Sequence, residues 1–200
     1  MDSEQKEYIK NKGLILGLVL ICFPLLDFMF GLNMSLLNSF LLFKVLWIFI
    51  FTFLLVRWFK EYTSSYDVFA FKDSFKLLFV ISLIGFGVLT AGKILIWNIS
   101  STDKYIDINE KRDLDEIYLL ISMNDSLYAN GKITAEKYDE TRDGFPKIED
   151  VQDNWNDLRE KGLGITWFPQ SLIYVLFLNS IYCAILALFL RKKEEFTKLE

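Results

Sequence analysis

The chain has 200 residues, 52 % of them hydrophobic, with 19 Phe against 3 Pro and 10 Gly. That composition excludes low-complexity disorder and leaves room for only one small aqueous module beside the apolar stretches. A net charge of −4 excludes the basic footprint of a nucleic-acid binder, and the lack of any His removes the commonest general base and metal ligand.

Four apolar stretches predict membrane-spanning helices. The first covers 13–30 and is flanked by Lys6, Lys10 and Lys12. No small-x-small cleavage pattern follows it, so it reads as a retained helix and not a signal peptide. The second covers 36–58, the third 75–99 and the fourth 168–190. Each is long enough to cross roughly 30 Å of hydrocarbon at about 1.5 Å per residue, and in lipid the backbone must satisfy its own hydrogen bonds, so each is a helix. Gly13 and Gly17 in the first helix, and Gly85 with Gly92 and Gly87 with Ala91 in the third, give smooth packing sides; a homo-oligomeric seam is the second use of such a side. Asn179 and Ser180 read as polar glue between helices. Cys22 and Cys183 both fall in apolar stretches and read as small packing residues, not as a disulfide or metal pair.

Between the third and fourth spans lies a polar segment, 100–166. Residues 99–165 carry 16 acids and 9 bases. The segment is patterned. Ile148, Val151, Trp155 and Leu158 mark one face of a helix that Gly162 and Gly164 stop. Leu114, Ile117, Leu120 and Ile121 mark another. Between them 129–131 reads as a turn, and Thr134 as the N-cap of a short third helix running through Tyr138 and broken at Asp143-Gly144.

Lys and Arg set the direction. Bases flank the first span, the connection between the second and third (Arg57, Lys60, Lys72, Lys76) and the C-terminus (Arg191, Lys192, Lys193, Lys198), whereas 31–35 has none. The positive-inside rule therefore puts both termini in the cytoplasm and the polar segment outside. Trp97 and Trp167 are expected as an outer aromatic belt, with Trp58 and Tyr62 at the inner one.

Three charges lie inside spans. Asp27 is about 4–5 Å below the outer end of the first, Lys93 roughly 9 Å below that of the third, and Lys44 roughly 12 Å into the second. Asn38, Asn98 and Gln170 share this outer half. An isolated intramembrane charge costs several kcal/mol, so Asp27 is expected to pair with Lys44 or Lys93, in a polar cluster with Gln170. Such a cluster is either a stabilising ion pair or a vestibule for an anionic headgroup or solute.

No catalytic motif emerges. Asp107, Asn109 and Asp113 resemble a calcium loop only superficially, because Arg112 stands where its central Gly is needed. Carboxylates are plentiful but nothing fixes two across a pocket, and there is no phosphate-cradling Gly loop or nucleophile elbow.

Several places together resemble a bacterial family, domain-of-unknown-function family 4199: Gly13-Leu14-Ile15-Leu16-Gly17-Leu18 in the first helix, Phe71-Lys72-Asp73-Ser74-Phe75-Lys76 running into Val80-Ile81-Ser82-Leu83-Ile84, a charged helical insert, and Pro169 opening a last helix that ends in basic residues. Lys93 departs from the pattern. The resemblance implies a small four-helix protein of the bacterial inner membrane; the family has no assigned activity, so it implies nothing about catalysis. The expectation is an all-α, four-span membrane protein with spans and N-terminus in 1–99, an acidic extracytoplasmic insert in 100–166, and the fourth span with a basic tail in 167–200. It is expected to be non-enzymatic and to need no cofactor or metal. It is expected to meet membrane lipid and another envelope protein through Ile148, Val151, Trp155 and Leu158. The alternative is a small transporter or channel subunit with the outer-half polar vestibule.

Overall fold

The computed structural model describes residues 3–100, 102–162 and 167–192, and their side chains apart from 98–100 and 167–174. Helix α1 runs Ser3–Phe30 and ends in a 3-10 turn, Gly31–Asn33. Ser35 then caps α2, Leu36–Phe40, by accepting from the Asn38 N–H. A π-helical stretch, Leu41–Leu46, joins α2 to α3, Trp47–Thr63, so the three form one rod. Helix α4, Phe71–Lys93, also continues as a π-helical stretch, Ile94–Ser100. The polar segment folds as α5, Thr102–Ala129, α6, Ala135–Asp143, and α7, Ile148–Lys161; α8 is Trp167–Leu190. The described residues are all-helical, with no strand beyond an isolated bridge between Phe69 and Lys192. Among the described residues, three helices are long and apolar enough to cross a membrane: Ser3–Asn33, Leu36–Thr63 and Phe71–Trp97.

The strongest seam joins α1 to α4, and glycine makes it. A Cβ at Gly13 would sit 2.6 Å from the Ile84 Cβ, and one at Gly17 would sit 2.4 Å from the Val88 Cβ and 2.9 Å from the Gly85 carbonyl oxygen. Gly92 admits Ile21 in the same way. Lipid tails are as apolar as Leu, so close van der Waals approach, not hydrophobic exclusion, holds such a pair. The register advances in the same direction on both helices, so α1 and α4 are parallel. The rod α2–α3 runs back alongside both, with Phe43 against Phe23 at one end and the Tyr8 hydroxyl donating to the Trp58 carbonyl (2.8 Å) at the other. Trp47 and Phe51 close the centre on Phe86.

Helix α8 lies antiparallel on α4. The Asn179 side-chain amide donates to the Ser82 hydroxyl (2.7 Å), and Cys183 is buried beside both. Asn179 is thus the inter-helix glue its position suggests, whereas Ser180 bonds back to the Leu176 carbonyl of its own helix (2.8 Å). Two helix starts (α1, α4) and two helix ends (α3, α8) therefore meet at one end of the bundle. Lys12 pairs there with Glu61 (2.9 Å), and Lys192 donates to the Thr63 and Tyr66 carbonyls (2.7 Å each). Arg57, Lys60, Lys72, Lys76 and Arg191 belong to the same basic end. Helices α5–α7 occupy the opposite end, the insert end.

Glycines expected on one smooth side of α4 divide. Gly85 and Gly92 take part in the α1 seam, but a Cβ at Gly87 would meet nothing within 4 Å. Replacing Gly17 by Ala is therefore expected to cost about 1–3 kcal/mol in a reversible unfolding titration in mixed micelles, through forced displacement of Val88. Gly87→Ala should be neutral or slightly stabilising. Equal effects at both positions would contradict this seam.

Candidate functional site

The insert end is built around a junction of α1, α4 and α5. Helix α5 starts two residues after the π-helical end of α4, with no Gly or Pro between Lys93 and Gly131 to break the chain's helical tendency. It is longer than the stretch around Leu114–Ile121 that its apolar spacing predicts, because its first three turns hold charges that are used, not merely solvated. Trp97, Ile106 and Ile108 form a second buried core, against which Phe28, Ile94, Ile96, Tyr105, Trp155 and Leu158 pack. Trp97 is 2 % exposed and contacts Phe28 (5.6 Å) and Tyr105 (4.9 Å, edge-on). It is not the interfacial belt residue expected: α5 folds back over it.

Asp27 pairs with neither Lys44 nor Lys93. It pairs with Arg112 of α5, two-pronged, Nη1 to Oδ2 at 3.1 Å and Nη2 to Oδ1. The reason is geometric. A guanidinium offers two parallel N–H donors to a carboxylate, and the fold-back of α5 lowers Arg112 onto the end of α1, where its plane also lies 5.1 Å from the Phe43 ring. Both partners are mostly buried, at 14 % and 21 % side-chain exposure, and the Arg112 Nε is buried without a hydrogen-bond partner among the described residues. Gly31 makes the approach possible. A Cβ there would lie 2.8 Å from Asp27 Oδ1 and 2.9 Å from Ile108. Lys104 sits 4.2 Å over the Phe28 ring, and Lys111 reaches the Met34 carbonyl (3.4 Å) and Asp115 (2.6 Å).

Lys93 is the last residue of α4 before its π-helical stretch and Lys44 lies inside the other one. Both are exposed on the bundle's surface, and neither has an ion-pair partner within 4 Å among the described residues. Lys93 still lies within electrostatic reach of Asp27 and Lys44. So Lys44 and Lys93 stand near an Asp27 that is already paired with Arg112. Wide π turns inside α-helices frequently fall at functional sites, and two of them fall here. The side chains of Gln170, Asn98 and Trp167, and residues Gly164, Lys193 and Lys198, lie outside the described residues.

The stripe Ile148, Val151, Trp155 and Leu158 is half-buried and faces this chain's own α5. The Trp155 indole N–H donates to Asp113 (2.9 Å), and Arg159 bridges Asp107 (2.8 Å) and Glu110. Those two carboxylates strengthen the hold of Arg159 on its proton. Trp155 is thus an internal anchor, not a free one. Thr134 caps α6 as expected, accepting from the Lys137 N–H (3.3 Å), and Gly162 ends α7 at φ 74°. Helix α6 is tied to α5 by Asn124, which donates to the Tyr138 carbonyl (3.1 Å), and by Asp125, which accepts from Tyr138 and Arg142.

Residues 11–192, nearly the whole chain and including every residue of this junction, match the family model described as a protein of unknown function, DUF4199. The chain belongs to the DUF4199 family. No curated protein and no solved structure matches it. In this DUF4199 chain, Asp27→Asn and Arg112→Gln should each cost about 3 kcal/mol, at the low end for buried pairs because both side chains keep some exposure. A double-mutant cycle by micelle unfolding should give a coupling of about 2 kcal/mol for Asp27 with Arg112. The same cycle for Asp27 with Lys93 should fall below about 0.5 kcal/mol; the reverse order would contradict the pairing.

Proposed function

We propose that this is a non-enzymatic four-span protein of the bacterial inner membrane, with both termini cytoplasmic and α5–α7 periplasmic, that presents its helical insert to another envelope protein. The membrane reading is supported by the three long apolar helices and by the 24-residue α8 beside them. The orientation is supported by the gathering of Lys and Arg at the basic end.

The observation that carries the partner reading is how the insert is faced. Helix α6 buries no residue, and α7 turns its apolar stripe inward and leaves the rest of its surface exposed. Glu149, Asp150, Asp153, Asp157 and Glu160 on α7 are all exposed, and the α5 junction braces them against the bundle. A braced acidic face suits a basic partner surface, since complementary charge speeds encounter and selects register. A photo-crosslinker at Asp153 in intact cells should give a discrete adduct that disappears when Asp150 and Asp157 are changed to Lys. No adduct beyond that from a crosslinker at Phe49 on the bundle would overturn the partner reading.

A second reading follows from the unneutralised Lys44 and Lys93. Two exposed ammonium groups at intramembrane depth favour an anionic headgroup or solute in a vestibule at the insert end. Anion flux into reconstituted vesicles, abolished by Lys44→Gln or Lys93→Gln, would support it; flux equal to empty vesicles would remove it.

A further inference from the structure

One face of α4 is buried up to a single gap. Ser82, Phe86 and Leu89 recur at helical spacing and are 0 %, 5 % and 7 % exposed. Ser82 meets Asn179 and Cys183 of α8, and Phe86 meets Trp47 and Phe51 of α3, so this face fills the seam between those two helices. Lys93 comes next on the same face, and it is exposed. One turn later Trp97 is buried again, covered by α5. Lys93 therefore stands in a side opening of the seam, roofed by α5. Protein atoms crowd it although its side chain stays accessible, which makes the opening a recess. Lys44 borders the recess from the rod, on the side it shares with Ile48 and with Thr52, whose hydroxyl meets that of Tyr182 in α8. Helix α1 fixes the common level: Ile21 packs on Gly92 and Phe23 on Phe43, the chain neighbours of the two lysines. The two ammonium groups are within electrostatic reach of one another.

We propose that Lys44 and Lys93 bind the phosphomonoester headgroup of a lipid that enters this recess sideways from the insert-side leaflet. The proposal names the ligand of the second reading above and rests on that reading, but not on the protein partner. Asp27 does not serve the two lysines, because Arg112 engages both of its oxygens. Each ammonium group has three donors and no acceptor, and a charge at this depth is costly without a counter-charge. A phosphomonoester carries about −1.5 to −2 charges at pH 7 and three acceptor oxygens, which suits two ammonium groups. A phosphodiester brings a single charge. The way in favours a lipid over a dissolved anion. The roof of α5 closes the stripe above Lys93, whereas Ile48, one turn deeper than Lys44 on the same side of the rod, is 51 % exposed and offers an apolar track. Lysine stems bend toward the interface, so the phosphate has to sink only part of the way.

The test uses the full chain in phosphatidylcholine nanodiscs holding equal small amounts of phosphatidic acid and phosphatidylglycerol, with the retained lipids counted by native mass spectrometry. Phosphatidic acid should be retained roughly fivefold or more over phosphatidylglycerol, and Lys44→Gln or Lys93→Gln should each remove most of that preference. Lys44→Arg should keep it, and so should Lys60→Gln at the basic end; these two variants separate loss of the site from loss of the fold. A second arm dialyses the protein, in pure phosphatidylcholine discs, against radiolabelled inorganic phosphate, and retention should not exceed that of the Lys44→Gln, Lys93→Gln double variant. Equal retention of the two lipids, lost in the Gln variants, overturns the monoester and leaves the second reading standing. Inorganic phosphate retained through either lysine overturns the lipid and also leaves that reading standing. Retention of every probe unchanged in the Gln variants, with anion flux equal to empty vesicles, overturns both.

Discussion

The Asp27–Arg112 pair is the constraint on which the insert end depends. A carboxylate set in an apolar helix must find a counter-charge, and the nearest donor with the right fork comes from a helix 85 positions away in sequence. Satisfying Asp27 pulls α5 flat across the end of α1. That movement buries Trp97 and Ile108, brings Lys111 to the Met34 carbonyl, and orients everything built on α5. Gly31 is the matching backbone device, since any side chain there would separate Asp27 from Ile108.

Two kinds of packing then divide the molecule. In the bundle, glycine allows α1 and α4 to touch, and Asn179 with Ser82 attaches α8. At the insert end, aromatic rings and ion pairs hold the parts together: Phe28, Trp97 and Tyr105 meet in tilted and edge-on contacts, and Arg159 and Trp155 fasten α7 to the acidic start of α5. The acids of α5 are thus largely engaged within the fold, while those of α7 stay exposed, with Asp157 paired to Lys161 of its own helix.

Much of this was legible in the sequence. Apolar runs, basic flanks, the Thr134 cap and the Gly162 stop are local signals, and the structure has helices and caps where they stand. The Ile148–Leu158 spacing correctly marked one helical face. What periodicity could not say is which surface that face meets, and it meets α5. Arg112 was hidden because it is one base among nine in the polar segment, and nothing local distinguishes it. The available signal was Asp27 itself: a carboxylate at that depth asks for a two-pronged partner, and Lys44 and Lys93 each offer a point charge. The burial of Trp97 was unreadable for the same reason, since an interfacial Trp and one covered by a returning helix look alike in one dimension.

If the pair and its core join insert and bundle into one unit, amides near the Asp27–Arg112 contact must open only when the bundle opens. Hydrogen exchange of the intact protein in lipid measures this directly. Amides of 106–113 should exchange as slowly as those of 81–89 in α4, and both should respond together to denaturant. Exchange in 106–113 faster by orders of magnitude, with α4 still protected, would show the insert to be a separate module and contradict this account.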